Sequence, residues 1–72
     1  MSARGEIVRK IQEVYGDEMP NVYHGTDYSG AIQATGWWYR EFGRTPFFLG
    51  KSKAAALSTL DQVAQERTDT RP

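Results

Sequence analysis

Trp37-Trp38-Tyr39-Arg40-Glu41-Phe42-Gly43-Arg44-Thr45-Pro46-Phe47-Phe48-Leu49 sets two aromatic runs on either side of a glycine- and proline-bearing break. Its first half is rich in aromatic strand formers. Gly43 to Pro46 has turn chemistry, and Phe47-Phe48-Leu49 returns. The stretch therefore predicts a β-hairpin. Gly36, just before it, marks a candidate bulge.

Alternation divides this hairpin into two faces. A continuous strand puts Ile32, Ala34, Trp38, Arg40 and Phe42 on one side. Gln33, Thr35, Trp37, Tyr39 and Glu41 fall on the other. A two-residue loop pairs Phe42 with Thr45, and a four-residue loop pairs it with Phe47. Both registers place Phe47 and Leu49 with Trp38 and Phe42, and Phe48 with Trp37 and Tyr39, whereas a three-residue loop with a bulge would break this assignment. The first face is the more apolar and is expected to meet the rest of the core. If the helices cover only the first face, the second leaves Trp37, Tyr39 and Phe48 near solvent, where an exposed aromatic patch implies a partner; the alternative is that the N-terminal helix or the 17–30 loop folds over it.

Outward from the hairpin, residues 21–26 read as one more strand, and Asp27-Tyr28-Ser29-Gly30 as a turn. The alternative makes Ser29 an N-cap, 30–35 a helical turn and Gly36 its stop. Residues 4–15 read as a helix: Ile7, Val8, Ile11, Val14 and Tyr15 form one stripe of a 3.6-residue period. Ser2 is its N-cap, Gly16 its C-terminal stop, and Pro20 forbids continuation. Residues 52–66 read as a second helix capped by Ser52, with Leu57, Leu60, Val63 and Ala64 on its apolar side. Residues 67–72 are expected to fray.

The order is thus α-β-β-β-α in one small domain, residues 1–72: an α+β fold with a three-stranded antiparallel sheet and two helices on one face. The predicted core is Ile7, Ile11, Val14, Trp38, Phe42, Phe47, Leu49, Leu57, Leu60 and Val63.

Composition narrows the function. Nine basic residues balance nine acidic ones, so strong electrostatic attraction to nucleic acid is not the default. No cysteine and a single histidine leave no disulfide and no protein zinc site to expect. No metal or cofactor is expected. Neither a targeting segment nor a membrane span is apparent, and a cytoplasmic protein is the plain reading.

Two clusters carry candidate chemistry. Trp37, Tyr39 and Phe48, with Arg40 and Arg44, form a candidate binding surface, since aromatics and arginine anchor interfaces. Lys51, Ser52 and Lys53 open the last helix and form a candidate anion or phosphate site. Lysines oppose the helix dipole there, so acids in their place are expected to stabilise the free chain.

The α-β-β-β-α order and Gly50-Lys51-Ser52-Lys53-Ala54-Ala55-Ala56 resemble the double-stranded RNA-binding domain. Gly50, Ser52, Lys53 and Ala56 match that family's Gly-x-Ser-Lys-Lys-x-Ala-Lys segment, while Ala54 and Leu57 stand where it has lysines. The resemblance implies phosphate contacts by the helix entry. Gly36-Trp37-Trp38-Tyr39 and Phe47-Phe48-Leu49-Gly50 are similar to AP2-like and integrase arm-binding domains, which implies a sheet that enters the DNA major groove. Tyr23-His24-Gly25-Thr26 resembles the His-Gly-Thr segment of ADP-ribosyltransferases, a remote enzymatic alternative.

The expectation is a non-catalytic binding module, an adaptor or inhibitor with a protein partner, of the size seen in phage and mobile-element proteins. Nucleic acid is the alternative partner.

Overall fold

The computed structural model describes residues 2–69. Its elements are α1 (Ala3–Tyr15), β1 (Asn21–Ser29), β2 (Ile32–Arg40), β3 (Phe47–Gly50) and α2 (Lys53–Asp69). The strands form one antiparallel sheet in the order β1-β2-β3. The α+β class and the α-β-β-β-α order are as the sequence implies.

The helix ends follow local chemistry. The Ser2 hydroxyl accepts from the Gly5 amide at 3.0 Å, satisfying one of the amides that a helix start leaves unpaired. Gly16 ends α1 in the left-handed region at φ 73°, and its amide donates to the Gln12 carbonyl. The Ser52 hydroxyl accepts from the Ala55 amide at 3.1 Å, the N-cap expected for α2. That helix runs on to Asp69, so residues 67–69 are helical where fraying was expected. The rest of that tail, residues 70–72, lies outside the described residues.

β1 is longer than expected and continues through the segment read as a turn. Ser29 pairs with Ile32, leaving Gly30 and Ala31 as the loop. Gly30 supplies a positive φ of 62° at the first loop position, which suits tight hairpins. The alternative helical turn over 30–35 is absent, because Ile32 to Thr35 pair with Thr26 to Ser29.

The sheet faces are the reverse of those expected. Tyr39 pairs with Phe47 and Trp38 with Phe48. The intervening residues 40–46 are odd in number, whereas both expected loops are even. A shift of one residue moves every side chain to the other face. Tyr39 therefore joins the helices, and Trp38 lies on the far side with Phe48. One core unites Ile7 and Ile11 of α1, Val22, Tyr39 and Leu49 of the sheet, and Ala56 and Leu60 of α2. Val8, Tyr15, Trp37 and Leu57 pack against it.

Several predicted core residues move out as a consequence. β2 stops at Arg40, so Phe42 falls in the loop and is fully exposed, while Phe47 remains 39% exposed. Val14, Leu57 and Val63 are half-buried. Trp38 is buried, but on the other face: its ring lies 5.0 Å from Phe48 and its indole N–H donates to the Gly25 carbonyl at 3.0 Å.

A bulge lets α2 follow β3 closely. Trp37 pairs with Gly50 although Trp38 pairs with Phe48, so Leu49 is the extra residue. The Thr59 hydroxyl donates to the Leu49 carbonyl at 2.6 Å. A Cβ on Gly36 would lie 2.3 Å from the Gly50 carbonyl oxygen and 2.8 Å from the Lys51 Cα. Only a glycine there permits this crossing of backbones.

Candidate functional site

The two helices run side by side in the same direction. Glu6 pairs with Lys53 at 2.6 Å, Lys10 with Asp61 at 2.6 Å, and Arg67 lies over the Tyr15 ring. Both helix C-termini consequently reach the same end of the molecule. Register brings the loops there too: Asn21 opposite Arg40 sets loop 16–20 beside loop 41–46.

Side chains separated widely in sequence converge at this loop end. Pro20 and the Asp17 carboxylate shape the first loop, where Asp17 accepts from the Met19 amide at 3.1 Å. The Gln12 side-chain amide donates to the Glu18 carbonyl at 2.9 Å. In the second loop, the Arg44 amide donates to the Glu41 carbonyl at 3.0 Å, and Gly43 takes a φ of 75°. The Tyr39 hydroxyl donates to Asp17 at 2.9 Å and ties the sheet to the first loop. Its ring lies 5.1 Å from that of Tyr15. Burial raises the Tyr39 hydroxyl pKa first, and the Asp17 carboxylate it bonds raises it further.

An open cleft of about 650 Å³ runs between the loops, lined by Asp17, Met19, Asn21, Arg40, Glu41, Phe42 and Gly43. Met19 is 90% exposed, and Phe42 has no cover at all. Two smaller voids adjoin it and share Tyr15, Tyr39, Glu41 and Arg44.

The expected binding residues are dispersed. Tyr39 is buried at 2% exposure. Trp37 is half-buried, with its ring edge-on to His24 at 4.9 Å. Phe48 is half-buried on the opposite face against Trp38. Arg40 and Arg44 are exposed and reach the loop end, where the buried Tyr39 joins them through its hydroxyl; Trp37 and Phe48 line none of the voids described there.

At the entry of α2, Ser52 caps the helix and Lys53 is held by Glu6, leaving Lys51 exposed. Lys53 holds the Glu6 carboxyl below the usual range, first through their hydrogen bond and then through its charge. The acid that α2 lacks in its first turn is thus supplied by α1. The expectation that an acid at position 53 stabilises the chain is corrected, since it would face Glu6.

His24, from the His-Gly-Thr resemblance, is exposed on β1. Beside it, the Tyr23 hydroxyl donates to Asp27 across Gly25. Burial and then that bond push the Tyr23 pKa up to about 12. The same bond, with the Tyr28 amide, lowers that of Asp27.

Sequence reasoning missed Tyr15, Asp17, Met19, Glu41 and Arg67 as members of a surface, and it placed Phe42 in the core. One signal was available: Phe42 directly precedes Gly43, so it stands at the edge of the turn rather than inside a strand. Nothing local links Tyr39 to Asp17.

No protein family, curated protein or solved structure matches the chain. Among the described residues, no group of three or more His, Cys, Asp or Glu is placed to hold a metal ion. No helix among them is long and apolar enough to cross a membrane.

Proposed function

We propose that the chain is a small non-catalytic binding module, an adaptor or inhibitor, whose loop end docks a protein. The observation that carries this reading is the full exposure of Phe42 beside Met19 over one open cleft. Large apolar side chains presented together at a surface favour association, and burying a phenylalanine stabilises a complex by about 1.5–3 kcal/mol. Arg40, Asp17 and Glu41 around them supply the polar rim common to protein interfaces.

The distribution of cations supports a protein over a nucleic acid. Lys10 and Lys53 pair with acids of the chain, and the Arg4 side chain donates to the Val22 carbonyl at 2.9 Å. Phosphate neutralisation needs such groups free. Nucleic acid is the second reading, favoured by exposed Arg40 and Lys51 on the sheet and at the start of α2.

A photo-crosslinking amino acid at position 42, introduced in the source cells, tests the assignment. A discrete protein adduct that is lost on adding Met19→Ser is expected. A nucleic-acid adduct, or no adduct, contradicts it.

A further inference from the structure

The Arg67 guanidinium carbon lies 5.0 Å from the centroid of the Tyr15 ring. That ring leans on Tyr39, and a void of about 120 Å³ opens beside the pair, bounded by Glu41, Arg44, Thr45 and Phe47. A second void of about 500 Å³ continues from it to Asp17 and Arg67. The inner void is well below the roughly 300–1,000 Å³ of sites for drug-sized ligands. It suits a single small group. Aromatic faces attract cations, and a carboxylate beside them fixes the orientation.

Glu41 is the carboxylate in place. Arg44 Nε approaches it no closer than 3.8 Å, beyond hydrogen-bond distance, so the oxygens retain acceptor capacity. Both Arg67 and Glu41 act on the Tyr15 hydroxyl: burial raises its pKa, Arg67 lowers it and Glu41 raises it. The two charges therefore bear on one ring. A guanidinium can stack flat on such a ring while its edge donates to a carboxylate as a two-pronged fork, a geometry that a tetrahedral ammonium matches less well.

Arg67 holds this position from an exposed place in the last turn of α2, beyond Leu60, the last buried residue of that helix among those whose burial is described. Its contact is one that a competing group could replace. We propose that the Tyr15–Tyr39–Glu41 cleft is a guanidinium site, its Tyr15 ring covered at rest by the chain's own Arg67 and taken over by an arginine side chain of the bound partner. The proposal rests on the reading of the loop end as a protein-docking surface and names what the partner presents there.

Titration with methylguanidinium chloride at constant ionic strength, followed by NMR of the Tyr15 and Tyr39 rings, tests it without any partner. Arg67→Ala is expected to bind the probe about ten-fold more tightly than the parent, a change of about 1.4 kcal/mol. Adding Glu41→Gln, an exposed-loop change, is expected to remove most of that gain. Equal binding by parent and Arg67→Ala overturns the proposal, as does an equal response to ammonium chloride. The crosslink at position 42 does not depend on this titration, so the two readings fail separately.

Discussion

Gly25 and Gly36 face each other across β1 and β2, and the same substitution at each is expected to have opposite consequences. A Cβ at Gly25 meets nothing within 4 Å. At Gly36 it would lie 2.3 Å from the Gly50 carbonyl oxygen and 2.8 Å from the Lys51 Cα, both backbone atoms. No side chain can swing away, so the link from β3 to α2 must move. Overpacking of this kind costs about 1–3 kcal/mol. The φ of 156° at Gly36, a region L-residues seldom adopt, adds about 1 kcal/mol or more. A core of this size supplies only about 3–5 kcal/mol in total. Gly36→Ala is therefore expected to be largely unfolded at 25 °C, and Gly25→Ala to stay within about 0.5 kcal/mol of the parent. Urea melts followed by tryptophan fluorescence measure both. Similar midpoints for the two variants would refute the close crossing of β3 and α2.

Two further outcomes follow from the polar contacts. Lys53→Glu is expected to lower the melting midpoint, because it sets two acids together, and the swapped pair Glu6→Lys/Lys53→Glu to restore it; a midpoint unchanged by Lys53→Glu in low salt contradicts the helix–helix pairing. Stability is expected to hold below about pH 10 and to fall above it: the Tyr23 and Tyr39 hydroxyls titrate higher in the folded chain than in the unfolded one, so alkali favours unfolding. Urea melts from pH 8 to 11.5 read this slope, and Tyr39→Phe should flatten it; a parent stability that rises over that range opposes the assignment.

The order of elements was legible because it rests on local signals. Ser2, Gly16 and Ser52 cap or stop helices through bonds within one turn. The apolar stripes of Ile7, Ile11 and Leu60 follow helical period and are buried as expected. The facing of the hairpin was not legible, because it depends on the parity of the residues between the paired Tyr39 and Phe47 and on the bulge at Leu49. Trp38 and Tyr39 are adjacent, aromatic and both buried, so composition could not say which meets the helices. The loop end was hidden for another reason. Tyr15, Asp17, Tyr39, Glu41 and Arg67 meet only once the parallel course of α1 and α2 and the β1–β2 register are known. Lys53 shows the same limit: its partner Glu6 belongs to the other end of the chain.

Phe42 is left uncovered by the fold, and the proposed function has a partner bury it. Phe42→Ser tests it when melting and binding are measured on one preparation, with the protein captured by the position-42 crosslink as titrant. An unchanged melting midpoint is expected, with a loss of affinity of about 30-fold, or about 2 kcal/mol, as for an interface anchor. A lowered midpoint would return Phe42 to the core, and parental affinity would remove it from the interface.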